Sequence, residues 1–377
     1  MARLKIPAVF IRGGTSKGVF FHERDLPSDA AERDRVILHA LGSPDPYRRQ
    51  LNGMGGGLSS LSKAVIIAPS TRPDADVDYT FAQVSVDSPV VDYAGACGNL
   101  SAAVGAFAVD EGLIEAPDGE ACLRVYQTNT SKIYEARFPV KDGMAVEDGA
   151  YEMPGVGGKG AKITLDYLDP GGAVTGALLP SGNVSDQIAL DGLGRVEVSL
   201  VDATNAVVFL DAARLGYQAT EDPAALDADP LFMSRMDEAR RKGAVLMGMV
   251  NRPEDAPLST PKVGIVAPPT AFTGLDGRDY AADDMDLTVR VISMENVHRA
   301  VPGTNGMCIG AAARIEGTIV HRFTRDHTPV RIGNPSGVLP VDADVTRDED
   351  GGWSVRAITV YRTQRRLMEG SVLVPDR

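Results

Sequence analysis

The chain has 377 residues, a formal net charge of -13 and an ordinary globular composition, with 40 Gly and 24 Pro. This length accommodates two domains, and the many glycines and prolines predict short strands joined by turns. The acidic balance argues against nucleic acid and against an anionic membrane surface as partners. The three cysteines form no CxxC pair, which predicts a reducing, cytoplasmic compartment and no cysteine-based metal site.

A glycine-bearing turn joins the first two predicted strands, residues 7–10 and 19–21. It contains Thr15 and Ser16, whose hydroxyls, together with backbone N–H groups, can donate hydrogen bonds to an anion. The GxxxxGK[ST] spacing is missing and no helix follows, so the turn is not a P-loop. A plain hairpin turn is an equally good interpretation. The spacing of apolar residues then predicts a helix over 30–41.

A second glycine-rich segment, residues 52–57, leads into the apolar strand 64–68. Four glycines in this segment predict a loop that can wrap closely around another group. Ser62 supplies a hydroxyl and is a candidate substrate-binding residue. Lys63 opens the strand, so the stem of the lysine is expected to be held by a sheet. A lysine shielded from water in this way can act as a base near neutral pH. A solvent-exposed lysine at a strand edge is the competing interpretation.

Cys97 stands at the start of a predicted helix that is apolar on nearly every side and is therefore expected to be buried. Gly98 allows close backbone approach, and Asn99 or Ser101 is predicted to cap the helix. The positive field at a helix start favours a thiolate and anionic ligands. For a lone cysteine, packing against the helix end is the common alternative.

The remaining elements repeat this organisation. Strands are predicted over 123–127, 133–140, 161–167, 195–200, 206–210, 263–267, 285–293, 330–332, 340–341 and 354–361, with a long helix over 230–249. A second glycine-bearing turn, with Cys308, leads into another apolar helix. We therefore predict two pseudo-repeated domains, residues 1–184 and 185–377, each with short, mostly antiparallel strands around one buried helix. Terminal strands are allowed to cross between the domains.

Several motifs, in order, resemble those of the PrpF family, the 2-methylaconitate cis–trans isomerases. They are residues 11–18 (IRGGTSKG), 42–45 (GSPD), 52–56 (NGMGG), 60–63 (SLSK), 97–100 (CGNL), 261–263 (PKV) and 330–337 (VRIGNPSG). The resemblance implies the α+β, diaminopimelate epimerase-like fold, with two pseudo-symmetric β-barrel-like domains, each around a central helix. It also implies cofactor-independent movement or reconfiguration of the C=C bond in an unsaturated di- or tricarboxylate.

The resemblance also implies roles for particular residues. Lys63 and Cys97 match the catalytic lysine and cysteine of the family. Gly98 and Asn99 match an anion-binding helix start, and Thr15 and Ser16 match substrate contacts in the glycine turn. Since a proton must leave one carbon and return to another, two groups are needed, and we assign abstraction to Lys63 and return to Cys97.

The second half departs from the two-cysteine epimerases of this fold. Cys308 is a candidate second acid or base, but it falls later than a helix-start cysteine should. The expected substrate contacts there are His298, Thr304, Asn305 and Gly306. Three alternatives remain: a methylitaconate or 4-oxalomesaconate isomerase, a two-cysteine racemase or epimerase, and a non-catalytic partner of an iron–sulfur dehydratase. No metal is expected, and a homodimer is compatible with the sequence.

Overall fold

The computed structural model describes residues 3–293, 296–349 and 351–375, which form two compact units. The first unit extends to Tyr167 and includes the segment that begins at Tyr361, and the second unit is Leu168–Val360. The division thus falls earlier than the predicted one between residues 184 and 185. The C-terminal strand belongs to the first unit because it pairs with the N-terminal strand along the whole of Arg3–Gly13.

Among its described residues, the first unit has two α-helices, α1 (Ala30–Leu41) and α2 (Ser101–Asp110), and a short 3-10 turn at Glu23–Asp25 and another at Ser59–Leu61. Its strands up to the division are β1 (Arg3–Gly13), β2 (Ser16–His22), β3 (Lys63–Pro69), β4 (Val77–Val84), β5 (Val91–Asp92), β6 (Gly119–Gln127), β7 (Lys132–Lys141), β8 (Met144–Ala145), β9 (Tyr151–Glu152), β10 (Lys159–Gly160) and β11 (Ile163–Leu168).

The following strands are β12 (Asp186–Leu190), β13 (Gly194–Asp202), β14 (Ala206–Asp211), β15 (Lys262–Ala267), β16 (Phe272–Thr273), β17 (Asp279–Tyr280), β18 (Leu287–Ser293), β19 (Asn296–Val297), β20 (Val330–Asn334), β21 (Gly337–Arg347), β22 (Trp353–Arg362) and β23 (Gln364–Pro375). The helices are α3 (Ala212–Leu215), α4 (Pro223–Asp227), α5 (Pro230–Leu246), α6 (Gly303–Ala312) and α7 (Ile319–Phe323), with 3-10 turns at Pro253–Asp255 and Ala282–Asp284.

In the first unit the strands pair in the order β23, β1, β2, β3, β4, β6, β7, β11. The pairings are antiparallel except for β2 with β3 and β4 with β6, which are parallel. One face of this sheet packs against α2, in which every residue from Ser101 to Val109 is buried. The prediction of a buried apolar helix is confirmed. The other face, with Val19, Phe21, Ala64 and Ile66, packs against α1.

The second unit repeats this strand order independently. Its strands pair in the order β12, β13, β14, β15, β18, β20, β21, β22. The parallel pairings are β14 with β15 and β18 with β20, which occupy the same positions in this order as the parallel pairings of the first unit. Helix α6 is buried from Asn305 to Ala312 and packs against β13, β14 and β21. A second apolar core, with Phe232 and Met236 of α5, covers the other face.

The chain is therefore a mixed α and β protein with a large sheet and few helices. Within the described ranges, no helix combines the length and apolar character needed to cross a membrane.

Candidate active site

Lys63 is the first residue of β3 and is only 8% exposed. Its Nζ atom donates a 2.6 Å hydrogen bond to Oε1 of Gln83, the residue opposite it in β4, and lies 4.8 Å from the centroid of the Phe81 ring. The orientation of the Gln83 amide is fixed, because its Nε2 donates to the carbonyl oxygens of Ser59 and Ser62 at 3.0 and 2.9 Å. The predicted shielding of Lys63 from water is confirmed, and its partner is a neutral amide.

Cys97 is 8% exposed and leads the chain into α2. Its carbonyl oxygen accepts hydrogen bonds from both the N–H and the hydroxyl of Ser101, each at 3.0 Å, and from Oη of Tyr79 at 3.4 Å. The N-cap residue is Leu100, which provides no side-chain cap, so the predicted cap by Asn99 or Ser101 is wrong. The first three N–H groups of α2 already donate to carbonyl oxygens of the preceding turn. An anion bound at this helix start would therefore use the N–H groups of the turn itself, together with the positive end of the helix dipole.

Asn99 joins the helix start to the turn between β1 and β2. Its Nδ2 donates to Oγ1 of Thr15 at 3.0 Å and lies 3.3 Å from Oγ of Ser16. Gly14 adopts φ 53°, and a Cβ there would lie 2.5 Å from Oδ1 of Asn99, so this position requires glycine. A hydroxyl that accepts from Asn99 keeps its own hydrogen to donate. The structure thus brings three predicted substrate contacts together.

Gly18 of β2 packs between the backbone of Lys63 and Leu100, the N-cap residue of α2. A Cβ on Gly18 would lie 2.8 Å from the carbonyl oxygen of Lys63 and 3.1 Å from Cδ1 of Leu100. Lys63 and the turn that runs from Cys97 through Gly98 therefore lie at the same end of the first unit. The combination of an amine, a thiol and the positive end of the α2 dipole suits proton transfer to and from an anionic substrate.

Two buried tyrosines, a partly buried tyrosine and a buried arginine lie near Cys97, and sequence analysis did not identify them. Burial raises the pKa of Tyr167 to about 12 and the pKa values of Tyr79 and Tyr134 well above the usual range, so all three phenols remain donors. Arg362 is 2% exposed, and burial lowers the pKa of its guanidinium. Nearby phenols and the Cys97 thiol partly oppose this effect, because they raise the same pKa. Since a guanidinium keeps its charge in proteins, Arg362 supplies a buried cation near Cys97.

The glycine-rich loop before Lys63 closes around a residue of its own chain. Nε2 of Gln50 donates to Oγ of Ser43 at 2.8 Å and to Oγ of Ser62 at 2.7 Å, while its Oε1 accepts from the N–H of Gly57 at 2.9 Å. A side chain on Gly55 would overlap the Gln50 amide. Ser62 is completely buried in this network, so its predicted direct contact with substrate is replaced by a role in holding the start of β3.

The start of α6 in the second unit uses a similar arrangement. Nδ2 of Asn205, in the turn between β13 and β14, donates to Oδ1 of Asn305 at 3.2 Å, and Oγ1 of Thr204 donates to the carbonyl oxygen of Thr304 at 2.9 Å. A Cβ on Gly306 would lie 2.6 Å from Cδ2 of Leu339, so close packing requires glycine there. The role of Thr304, Asn305 and Gly306 in substrate binding stays a prediction.

Cys308 has no exposed surface, and its thiol donates to the carbonyl oxygen of Val201 at 3.4 Å. Burial raises the pKa of this thiol. Cys308 follows Asn305 by three residues, whereas Cys97 precedes Asn99 by two, so the two thiols do not hold matching places. These observations argue against Cys308 as a second acid or base and give it a packing role.

His298 is partly buried, and its Nε2 has no hydrogen-bond partner within the described part of the chain. Burial, followed by the positive charges of Lys262 and Arg299, lowers the pKa of His298 to about 4. The imidazole is therefore neutral at pH 7 and can donate or accept one hydrogen bond at each nitrogen. Its contact with substrate stays a prediction.

The PrpF protein family profile matches residues 3–375. The chain belongs to the PrpF family. The 2-methyl-aconitate isomerase of Shewanella oneidensis is 40% identical, with 99% of this chain and 98% of that protein covered. The 3-methylitaconate isomerase of Eubacterium barkeri is 41% identical, with 99% and 98% covered. These comparisons confirm the predicted family and the predicted enzyme class, an isomerase.

Comparison with solved structures shows which known folds the chain resembles. A crystal structure of methylitaconate-delta-isomerase superposes with a TM-score of 0.89 at 41% identity, covering 99% of this chain and 96% of that one. A hydroxyproline epimerase from Agrobacterium vitis superposes with a TM-score of 0.53 at 13% identity, covering 99% and 93%. The second likeness concerns the fold alone.

Proposed function

We propose that this PrpF-family isomerase moves or reconfigures the C=C bond of an unsaturated di- or tricarboxylate of the 2-methylaconitate or aconitate type, without a cofactor. The observation that carries the proposal is that a shielded lysine, Lys63, and the turn that bears Cys97 at the start of α2 lie at the same end of the first unit. The named substrates of the relatives, 2-methylaconitate and 3-methylitaconate, support this substrate class.

In the proposed reaction, Lys63 removes a proton allylic to the double bond and acidified by the carboxylates. The negative charge then spreads over a dienolate, whose oxygens are stabilised by the positive end of the α2 dipole and by the hydroxyls of Thr15 and Ser16. Cys97 returns a proton to another carbon and moves the double bond. Rotation before the proton returns changes the geometry of the double bond instead.

Arg362 has a supporting part in this proposal. A thiol that donates a proton leaves a thiolate, and a buried thiolate is costly unless a positive charge lies nearby. The Arg362 guanidinium is such a charge. In this proposal, the hydrogen bonds from Asn99 hold the Thr15 and Ser16 hydroxyls in place, so that their hydrogens can be donated to the substrate.

We also infer the finer description of the fold: two pseudo-symmetric, β-barrel-like domains of the diaminopimelate epimerase type, each around a central helix. The identical order of parallel and antiparallel pairings in the two units supports this inference. We further propose a reducing, cytoplasmic setting, because the mechanism requires Cys97 as a free thiol, which is how the structure has it.

Incubation with 2-methylaconitate, trans-aconitate, 3-methylitaconate and 4-oxalomesaconate in deuterated water, followed by proton NMR, tests the activity. We expect one of these compounds to be isomerised with incorporation of deuterium. If none is isomerised and none exchanges, the proposed function is wrong. The compound that turns over fastest identifies the substrate and distinguishes double-bond migration from cis–trans isomerisation.

Paired substitutions test the residue roles. Lys63→Met and Cys97→Ser should each lower kcat by orders of magnitude, as expected for residues that transfer the proton. Lys141→Met and Cys122→Ser are the matched controls, since both of these residues are exposed on other strands of the same unit. Near-normal turnover in either site variant would remove that residue from the mechanism. A variant that folds, has lost turnover and yet still protects an iron–sulfur dehydratase would favour the non-catalytic partner role.

A further inference from the structure

The second unit contains a lysine that occupies the same position in its sheet as Lys63 does in the first unit. Lys262 is the first residue of β15, as Lys63 is the first residue of β3. In each unit, the lysine strand has a parallel neighbour on one side (β14 or β2) and an antiparallel neighbour on the other (β18 or β4). The two lysines are therefore topologically equivalent.

Both lysines also lie on the face of the sheet that carries the buried helix. Val263 belongs to the apolar core that includes α5, so Lys262, the preceding residue, has its side chain on the opposite face, where α6 lies. Ala64 packs with α1 in the same way, which leaves Lys63 on the face of α2. Lys262 is partly exposed, so a small ligand can reach its side chain.

The start of α6 corresponds to the turn before α2. Asn305 and Asn99 each share a side-chain hydrogen bond with the tight turn that leads into the neighbouring strand, β14 or β2. Gly303 precedes Asn305 by two residues, as Cys97 precedes Asn99. The second unit therefore has an amine and a helix start, which can bind an anion, and a glycine where the first unit has its thiol.

One hydrogen-bond donor at the start of α6 is left over. In the first unit the amide of Asn99 donates to Thr15, whereas in the second unit Nδ2 of Asn205 donates and Asn305 accepts with its Oδ1. Asn305 is 1% exposed, and its Nδ2 has no hydrogen-bond partner within the described ranges. A buried N–H group without a partner is costly, and a carboxylate oxygen can supply the missing acceptor.

Lys262 carries a positive charge at neutral pH. Burial, followed by the charge of Arg240, lowers the pKa of Lys262 to about 8, so the amine is mainly protonated at pH 7. Burial and then the charge of Lys262 lower the pKa of His298, which places Lys262 near the segment between β19 and α6. Because an ammonium group has three donors, Lys262 can bind a carboxylate and keep a contact with its own chain.

We propose that Lys262 and the start of α6 form a binding site for a carboxylate group of a small di- or tricarboxylate. The choice of this class of acid rests on the proposed function. A hydrogen bond from an ammonium group to a carboxylate is charge-assisted and about twice as strong as one between neutral groups, so Lys262 supplies most of the affinity. The first turn of α6 adds the positive end of the helix dipole and the spare donor of Asn305.

Calorimetric titration of the full chain with tricarballylate tests the proposal, because this saturated tricarboxylate has no C=C bond to isomerise. We expect saturable binding to the parent protein and binding about tenfold weaker or more in Lys262→Met. Lys242→Met is the matched control, because it removes the same charge from α5 of the same unit. Its affinity should stay within about threefold of the parent.

Protection of the parent protein from acetylation provides a second measurement that needs no substitution. A short pulse of acetic anhydride at pH 8 labels amines in their unprotonated form, and peptide mass spectrometry measures each lysine separately. A bound carboxylate stabilises the ammonium form, so saturating tricarballylate should slow the labelling of Lys262 about threefold or more and leave the labelling of Lys242 unchanged.

Three results would each overturn the proposal: no saturable binding of tricarballylate to the parent, unchanged affinity and stoichiometry in Lys262→Met, or no protection of Lys262 from acetylation. The KM of Lys262→Met for the isomerised compound identifies the natural ligand, since a raised KM indicates the substrate and an unchanged KM indicates a separate acid. None of the three results depends on turnover, so a failure of the proposed function is seen independently.

Discussion

Replacing Gln83 by leucine removes the amide that holds Lys63 while keeping a side chain of similar size. The change breaks the 2.6 Å hydrogen bond from Lys63 and the two bonds that Gln83 donates to Ser59 and Ser62. At about 1 kcal/mol for each bond, the free energy of unfolding should fall by about 3 kcal/mol. Without the amide, the Lys63 side chain gains up to about 2 kcal/mol of rotamer entropy. It must lose that entropy again to reach the reactive conformation, so the activation free energy rises by the same amount and kcat should fall about 30-fold.

The assay measures kcat and KM on the substrate identified by the NMR panel, together with urea unfolding of the same preparations. Gln187→Leu is the matched control, because Gln187 is exposed on β12 of the second unit, and it should change neither quantity appreciably. A folded Gln83→Leu protein whose kcat stays within about threefold of the parent would refute the positioning role of Gln83. Loss of kcat in Lys63→Met, measured in parallel, keeps this result distinct from a failure of the proposed function.

Three further results are expected. Cys308→Ala should keep kcat within about threefold, because the thiol has no exposed surface through which to reach a substrate; a large loss of kcat would restore the two-cysteine hypothesis. Burial lowers the pKa of His298 from 6.5 to about 4 in the folded protein. As the pH falls below 6.5, the histidine is therefore protonated in the unfolded state before it is protonated in the folded state. Stability should drop by about 2 kcal/mol from this group between pH 7 and pH 5, and urea unfolding of His298→Gln should show a smaller drop than the parent. Gly14→Ala should cost about 1–3 kcal/mol more than Gly143→Ala, because both glycines have positive φ but only Gly14 faces Asn99; equal thermal shifts would contradict this reasoning.

Local sequence signals were reliable where neighbours in the chain decide the structure. The helix over 30–41 lies where the periodicity places it, since Asp29 caps its start and Gly42 adopts the left-handed conformation at its end. The apolar character of α2 predicted its burial. The same local reasoning failed for Asn99, whose amide serves the turn at Thr15 rather than the helix start.

Long-range partners explain what the sequence did not reveal at the candidate site. Arg362 follows Cys97 by most of the length of the chain, and no motif around Arg362 points to a buried cation. The amide of Gln83 likewise meets Lys63 only because β3 and β4 pair in one register. The glycine loop was predicted to wrap another group, but nothing local identified Gln50 as that group.

The network around Gln50 has a consequence for affinity. A loop with four glycines would ordinarily lose much backbone freedom when a ligand orders it, and that loss would weaken binding. Here the hydrogen bonds from Gln50 to Ser43 and Ser62 order the loop when the protein folds. The strand that carries Lys63 is therefore pre-organised before any ligand arrives, so contacts made there can contribute to affinity without an offsetting cost in loop ordering.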